Sequence, residues 1–191
     1  MTYPDLLILR HGETEWNREG RMQGEMDSPL TDTGRAQAEA QGRLLAGLNL
    51  DGWALWSSPQ GRARATAEIA LPGRDVSTDP RLSEITMGAW TGVRRAEIAL
   101  QRPQLFDHHG DLTWYDEAPG GEGLEALYVR TGAFLATLRG PAVLVTHGIT
   151  SRMLRCHALG LEPGAFADLP GGQGVVYAVS GGIQTCLSEG A

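Results

Sequence analysis

The sequence contains no lysine, so all 16 of its basic residues are arginines. Without a lysine the chain cannot form a Schiff base with a carbonyl substrate, and it cannot use the lysine of a P-loop nucleotide-binding motif. Every permanent positive charge that a side chain offers to a substrate is therefore a planar guanidinium group. A guanidinium presents a fork of N–H donors that matches the oxygens of a carboxylate or a phosphate.

Cysteines, long apolar runs and net positive charge are also scarce or absent. The two cysteines, Cys156 and Cys186, are far apart and not in a metal-binding spacing, so we expect two reduced thiols. No apolar run approaches the length of a transmembrane helix, and the stretch MTYPDLLILRHGE lacks the apolar region of a signal peptide, which predicts a cytoplasmic protein. The net charge of -7 disfavours a nucleic-acid partner and a polybasic membrane anchor.

The sequence does contain short apolar runs separated by helical patterns. Three of these runs are typical of strands buried on both faces of a parallel sheet: Leu6–Leu9, Trp53–Trp56 and Ala142–Val145. Near the end of the chain, residues 175–179 and 183–187 predict a hairpin or two paired strands. We therefore expect a single α/β domain over residues 1–191, with three α/β/α layers around a mainly parallel central sheet.

Four helical patterns lie between the strands, at residues 33–48, 59–71, 124–138 and 149–159. Thr31 or Asp32 is placed to cap the first helix, and Pro59 occupies the favoured first position of the second. Gly160 predicts the end of the fourth helix. The stretch at 93–123 mixes Pro, Gly, His, Trp and Asp, which predicts an irregular surface excursion.

Polar residues follow each of the three apolar runs directly. Arg10 and His11 follow the first run, a serine-containing turn and Arg62 follow the second, and His147 follows the third. Because the carboxyl ends of parallel strands lie at one edge of a sheet, we expect these four side chains to converge there. Two imidazoles and two guanidiniums, one of them in the first turn of a helix, predict an anion-binding site.

A phosphoryl group is the anion that this set of side chains suits. Charge lies on its three equatorial oxygens during transfer, so catalysis consists mostly of positioning and electrostatic stabilisation. Arg10 and Arg62 can bind those oxygens in a bidentate manner, and His147 can donate a further hydrogen bond. An imidazole among these groups can attack phosphorus in line and become transiently phosphorylated.

The residues around His11 resemble a known family. The run LRHGETEWN, residues 9–17, is similar to the signature of the histidine phosphatase superfamily, also called the phosphoglycerate mutase-like family. Further segments resemble later motifs of that family in the same order. They are Gln23–Gly24 with DSPLT at 27–31 and Gly34, SSP at 57–59 with Arg62 to Ala67, Leu82 to Gly92, PGGE at 119–122 with Arg130, and Thr146–Gly148. The resemblance covers about residues 6–155.

This resemblance implies a phosphoglycerate mutase-like fold and a role for each matching residue. His11 would accept the phosphoryl group, in a pocket completed by Arg10, Arg62 and His147. Glu84 would protonate the leaving oxygen as general acid and would then act as general base for water. The substrate-binding positions would be Asn17, Gln23 and Gly24. No metal or other cofactor is implied, because the guanidinium and imidazole groups supply the positive charge.

Some assignments stay open at the level of sequence. Glu13 and Glu15 also lie near His11 in the chain and are alternatives to Glu84 as the acid. Arg64 is interpreted as a solvated charge on a helix face. Three positions depart from the family pattern: Gln60 where an apolar residue is common, Thr91 where glutamate is frequent, and Gly123 where serine often caps a helix. The first two could alter substrate fit, and the third costs at most a modest capping contribution.

Several side chains in the 93–123 stretch have two interpretations. One group could line or cover the active site or could pack on the surface: Arg102, Trp114 and Tyr115. Another group lacks the spacing of a metal motif and is interpreted as a loop: Asp107, His108, His109 and Asp111. Three acidic residues are interpreted as a solvated rim: Asp116, Glu117 and Glu122.

The function expected from these residues is hydrolysis of a small phosphomonoester, such as a sugar phosphate or a phosphoglycerate, through a phosphohistidine. The alternative is a cofactor-dependent phosphoglycerate mutase, in which a bound hydroxyl accepts the phosphoryl group. Those mutases are usually longer, and Arg94, Arg95 and Arg102 do not clearly match their substrate arginines, which favours hydrolysis. A non-catalytic phosphate-binding module is disfavoured, because the proposed nucleophile and acid are both present.

Overall fold

The structure, a computed structural model, describes residues 3–106 and 112–190. Within these residues six strands form one sheet. They are β1 (Leu6–Arg10), β2 (Ala54–Ser57), β3 (Ser77–Thr78), β4 (Ala142–Thr146), β5 (Val176–Ser180) and β6 (Ile183–Leu187). The α-helices are α1 (Glu15–Arg18), α2 (Asp32–Ala46), α3 (Gly61–Ala70), α4 (Arg95–Gln101), α5 (Leu124–Leu135) and α6 (Gly148–Leu159).

The central sheet is mainly parallel, as predicted. Its strand order is β3, β2, β4, β1, β5, β6, and the first four strands run parallel to one another. The last two strands are antiparallel, and the hairpin between them turns at Gly181 and Gly182, which have φ angles of 57° and 77°. Two positive φ angles in succession suit glycine, so the two-residue turn follows directly from the sequence.

Helices cover both faces of the sheet, which confirms the three-layer α/β/α prediction. Alternate residues of a strand point to opposite faces. On β1, Leu7 and Leu9 pack in one core with α2 and α3, whereas Leu6 and Ile8 pack in a second core with α5 and α6. Burying a leucine or isoleucine side chain contributes about 2 kcal/mol, so both cores hold the strand that ends at Arg10.

Most helix ends fall where the sequence predicts them. The Thr31 hydroxyl accepts a hydrogen bond from the amide of Gly34 and so caps α2, and Gly160 ends α6 with a φ of 68°. The prediction for Pro59 is wrong, because α3 begins at Gly61 and Gln60 is its capping residue. The side chain of Gln60 does not cap the helix and instead donates to the carbonyl oxygen of Gly24.

The described parts of the 93–123 stretch, residues 93–106 and 112–123, are more regular than predicted. They contain α4 and two short 3-10 helices, 103–106 and 113–117. Ile98 and Trp114 are buried, and Trp114 packs on Trp90 and Phe106. The group formed by Asp107, His108, His109 and Asp111 lies outside the described residues.

Two members of the predicted acidic rim have structural partners. The Asp116 carboxylate accepts a hydrogen bond of 2.5 Å from the amide of Leu124 and so satisfies the start of α5, where Gly123 has no side chain to do so. Glu122 forms a two-point ion pair with Arg130, at 2.5 and 2.9 Å. Asp116 is exposed, as predicted for a rim residue, but both it and the half-buried Glu122 also have a structural role that the sequence did not predict.

Both cysteines are free thiols, with Cys156 buried and Cys186 exposed. Over residues 3–106 and 112–190, no helix combines the length and the apolar character that crossing a membrane requires.

Candidate active site

The predicted site residues converge at the carboxyl edge of the parallel strands. Arg10 ends β1 and His11 follows it, while His147 follows β4 and begins α6. A cavity of about 180 Å³ lies at this edge. The predicted residues that line it are Arg10, His11, Asn17, Gln23, Gly24, Arg62 and Glu84. His147 is fully buried beside His11, with the centres of the two rings 5.2 Å apart.

The imidazole of His11 is held in one tautomer. Its Nδ1 lies 2.7 Å from the carbonyl oxygen of Gly12, which can only accept, so Nδ1 carries the proton and Nε2 keeps its lone pair. Burial lowers the pKa of His11 well below its ordinary value, and the charges of Arg10 and Arg62 lower it further. The ring is therefore neutral near neutral pH, with the lone pair of Nε2 free of a proton.

Side chains from distant segments fix the backbone on either side of this ring. The buried amide of Gln41 donates to the carbonyl oxygens of Arg10 and Val175, both at 2.9 Å. The amide of Gln173 donates to the carbonyl oxygen of His11 at 3.0 Å. The two glutamine side chains together tie the end of β1 to the segment that enters β5.

Gly12 is required by a close backbone contact. A Cβ atom on Gly12 would overlap the carbonyl oxygen of Gly34, and a Cβ on Gly34 would overlap the carbonyl oxygen of Glu13. Two glycines thus allow the start of α2 to pack directly against the loop that carries His11.

Arg62 is buried and held by the loop that precedes α2. Its guanidinium donates to the carbonyl oxygens of Gly24 and Met26, at 2.9 and 2.7 Å, and pairs with Asp27 at 2.7 Å. Burial lowers the pKa of Arg62, and the charges of Asp27 and Glu84 oppose that shift. The guanidinium remains charged, because arginine titrates far above neutral pH.

His147 makes a hydrogen bond at one ring nitrogen only. Its Nε2 lies 2.8 Å from the Ser58 hydroxyl. Burial lowers the pKa of His147 well below its ordinary value, and the charges of Arg62, His11 and Arg10 add to the effect. Its Nδ1 is buried and has no hydrogen-bond partner among the residues that the structure describes.

The Glu84 carboxylate sits at the start of α6. It accepts hydrogen bonds from the Thr150 hydroxyl at 2.9 Å and from the amides of Thr150 and Ile149 at 3.1 and 3.2 Å. The alternatives to Glu84 have other partners, since Glu13 accepts from the Thr31 hydroxyl and Glu15 pairs with Arg18. Of these three carboxylates, Glu84 is the one that lines the cavity.

Asn17 and Gln23 are oriented by their oxygen atoms. The Asn17 Oδ1 accepts from the Thr14 amide at 3.2 Å in a capping box at the start of α1, and from Gln173 at 3.4 Å. The Gln23 Oε1 accepts from the Ser28 hydroxyl at 3.2 Å. An amide whose oxygen is engaged in this way has N–H groups left to donate to an anion.

The cavity has further lining residues that sequence reasoning did not assign to it: Gly20, Arg21, Met22, Ile85, Met87 and Arg95. Tyr115 also lines it while stacking on Trp114, so both interpretations of Tyr115 apply. Burial and the charge of Glu84 raise the pKa of Tyr115 to about 12, which keeps its hydroxyl protonated. Arg102 is exposed, and Arg64 is an exposed helix residue 4.0 Å from Glu68, as predicted.

Two other features bear on what the site can bind. Among residues 3–106 and 112–190, no group of three or more His, Cys, Asp or Glu side chains is arranged to hold a metal ion. A larger cavity, of about 470 Å³, lies between α2 and α3, with Leu45, Leu50 and Leu71 in its lining. Charged residues also line the larger cavity, but the smaller one holds His11, whose pKa is strongly shifted, beside the buried guanidinium of Arg62, so the smaller cavity is the candidate active site.

Comparison with known proteins agrees with this geometry. The family model described as the histidine phosphatase superfamily (branch 1) matches residues 6–183. Phosphoserine phosphatase 1 of Hydrogenobacter thermophilus is 33% identical over 168 residues, which cover 84% of this chain and 79% of that protein. A probable phosphoglycerate mutase, GpmB of Salmonella choleraesuis, is 37% identical over 167 residues, which cover 82% of this chain and 75% of that protein.

A solved structure shares the fold over nearly the whole chain. The mycobacterial glucosyl-3-phosphoglycerate phosphatase in complex with VO3 superposes with a TM-score of 0.79 at 30% identity, covering 97% of each chain. The family model spans most of the sequence, and its match includes the segments that carry every residue of the cavity. The chain therefore belongs to the histidine phosphatase superfamily, branch 1.

Proposed function

We propose that this protein hydrolyses small phosphomonoesters through a phosphohistidine formed on His11. One observation carries the proposal. Around the neutral His11 ring, the Nε atoms of Arg10 and Arg62 and the Nδ1 of His147 are buried without a hydrogen-bond partner among the described residues. Buried polar groups are normally paired, so three unpaired nitrogens around one nucleophile indicate a place for an anion.

In the first step, the Nε2 lone pair of His11 attacks phosphorus and forms an N–P bond. The P–O bond to the alcohol breaks, and Glu84 gives its proton to the leaving oxygen. The guanidinium groups of Arg10 and Arg62 stabilise the negative charge on the equatorial oxygens. The Ser58 hydroxyl has one proton to donate, and it lies closer to Nε2 of His147, at 2.8 Å, than to Oε1 of Gln60, at 3.4 Å. If Ser58 donates to Nε2, the proton of the neutral His147 ring is on Nδ1. Nδ1 can then donate a hydrogen bond to phosphate.

In the second step, water attacks the phosphorus of phosphohistidine while the Glu84 carboxylate takes a proton from it. The N–P bond breaks, its electron pair returns to Nε2 of His11, and inorganic phosphate forms. His11 ends neutral and Glu84 ends protonated, so the enzyme is ready for a second turnover. The carboxyl group of Glu84 can serve both steps because it gives up a proton in the first and regains one in the second.

Charge at the mouth of the cavity favours substrates that carry a second anionic group. Besides the two phosphate-binding arginines, Arg21 and Arg95 line the cavity. Arg21 is partly neutralised by Glu19 at 2.6 Å, whereas Arg95 lies over the rings of Phe106 and Trp114. A volume of about 180 Å³ suits a compact metabolite, and phosphoserine and phosphoglycerates have both the size and the extra carboxylate.

The proposal is tested by phosphate release from p-nitrophenyl phosphate and from a panel that includes phosphoserine, 3-phosphoglycerate and neutral sugar phosphates. His11→Asn is expected to abolish release, because asparagine can keep the hydrogen bond to Gly12 but cannot attack phosphorus. Arg64→Gln, on the exposed face of α3, is the matched control and should retain full activity. Turnover that survives His11→Asn would contradict the assignment of the nucleophile.

A mutase remains the second candidate, because a relative with that description is 37% identical. Incubation with 3-phosphoglycerate and 2,3-bisphosphoglycerate separates the two activities. Free phosphate is expected to accumulate. Conversion to 2-phosphoglycerate without release of phosphate would favour the mutase instead.

A further inference from the structure

Gln60 forms a bridge between two residues that line the candidate active site, Gly24 and Glu84. It lies in the turn between β2 and α3, and its side chain is buried. Its Nε2 donates to the carbonyl oxygen of Gly24 at 2.8 Å, and its Oε1 accepts from the backbone amide of Glu84 at 2.8 Å. One side chain thus joins two segments that are distant in sequence and lie on opposite sides of Gln60.

The two ends of this bridge belong to different parts of the proposed machinery. The carbonyl oxygen of Gly24 also accepts from the guanidinium of Arg62 at 2.9 Å, so this end of the bridge is the phosphate-binding side. The other end is the backbone of Glu84, whose carboxylate faces the cavity. The length of one glutamine therefore sets how far the acid lies from the group that holds the phosphate.

An apolar residue at this position could make neither bond. The buried amide of Glu84 would lose its acceptor, and the carbonyl oxygen of Gly24 would lose one of two donors. Because a buried backbone N–H without a partner is costly, the segment around Glu84 would shift toward another acceptor or toward solvent. The carboxylate would keep its bonds to Thr150 and Ile149 but would lose its fixed distance to the phosphate side.

We propose that Gln60 is a positioning residue for the general acid of this enzyme. It holds Glu84 at the distance from the phosphate-binding arginine at which its proton can reach the leaving oxygen. The inference rests on the proposed hydrolysis, in which Glu84 supplies that proton. It predicts that loss of the bridge harms the departure of poor leaving groups more than that of good ones.

The test compares two substrates with opposite demands on the acid. p-Nitrophenolate leaves with little protonation, whereas the alkoxide of an alkyl phosphate such as phosphoserine needs a proton. The quantity measured is kcat/KM, because it reports only the steps up to departure of the alcohol. Gln60→Met, which keeps length and volume but makes no comparable hydrogen bond, should lower kcat/KM about tenfold for the alkyl ester and less than about threefold for the aryl ester.

Three further variants make the result specific. Glu84→Gln shows how far the ratio of alkyl to aryl kcat/KM falls when the acid is lost completely. Gln60→Glu places a buried carboxyl group there, which in its protonated form can accept from the Glu84 amide and donate to the Gly24 carbonyl oxygen, so its ratio of alkyl to aryl activity should return toward that of the wild type. Leu135→Ala, in the core beneath the sheet, is a destabilised control whose ratio should not change.

The outcomes separate the inference from the proposed function. If Glu84→Gln discriminates between the substrates but Gln60→Met lowers both equally, the role of Gln60 is refuted and the acid assignment stands. If Glu84→Gln itself does not discriminate, the proposed acid is wrong. Should Gln60→Met fail to fold, Gln60→Glu decides, because a ratio as low as that of Glu84→Gln would overturn the inference.

Discussion

Acidification should destabilise this protein through two buried histidines. His11 and His147 have pKa values well below the ordinary value in the folded state, mainly because of burial, while the unfolded chain titrates near the ordinary value of about 6.5. Below about pH 6.5 the unfolded state therefore binds more protons than the folded state. The stability that these two histidines contribute is fully present above that pH, and it is lost as the pH falls toward their pKa values in the folded state.

The magnitude follows from the number of groups. Each histidine contributes a slope of about 1.4 kcal/mol per pH unit once its ring is protonated in the unfolded chain but not in the folded state, so the pair contributes roughly twice that. The charged groups that face the two rings are cationic, with Arg10 and Arg62 near both and Arg130 near His147. These cations oppose protonation of the folded state over the whole window.

Urea unfolding measured in steps from about pH 7.5 to 5.5 gives the slope directly. The double variant His11→Asn, His147→Gln removes both titrating rings, while each amide can still make the hydrogen bond to Gly12 or Ser58. Its stability should depend much less on pH than that of the wild type. A bound phosphate favours the imidazolium form, so added phosphate should also flatten the wild-type slope. A flat wild-type curve, or an equally steep curve for the double variant, would refute the reasoning.

Two further predictions concern stability. Gly34→Ala should cost about 2 kcal/mol and slow catalytic release of phosphate, because its Cβ would overlap the Glu13 carbonyl oxygen, whereas Gly47→Ala at the opposite end of α2 has room and should be neutral or slightly stabilising. Urea unfolding and steady-state kinetics on the pair check both statements. Asp116→Ala should cost about 1 kcal/mol, because the Leu124 amide loses its acceptor. Asp116→Asn should retain most of the stability, and equal losses in the two variants would contradict the capping role.

The parts of the site that follow directly from a strand could be predicted from the sequence. Arg10, His11 and His147 each come at the end of a buried apolar run, and strand polarity alone brings them to one edge. Glu84 is different, because it follows a short 3-10 helix and its place depends on contacts with α6. It was predicted only through its resemblance to a family motif.

What the sequence could not reveal is carried by long-range side-chain contacts. The bonds of Gln60 and Gln173 reach segments 24 to 162 residues away, and no local pattern encodes them. Arg21 and Arg95 line the cavity because an isolated bridge pairs Arg21 with Arg94, which is a tertiary contact as well. The start of α3 was misplaced because Pro59 is compatible with the turn before a helix as well as with its first residue.

The glutamine bonds at the end of β1 have a consequence for anyone who alters the chain. Because Gln41 and Gln173 anchor the backbone of the proposed nucleophile to the stretch entering β5, residues 171–176 support the candidate active site rather than forming a dispensable tail. Cutting, tagging or replacing that stretch should inactivate the enzyme even if the sheet survives. The turn at Gly181 and Gly182 is exposed and lies beyond that stretch, so an inserted domain should be tolerated there with little disturbance of the proposed nucleophile.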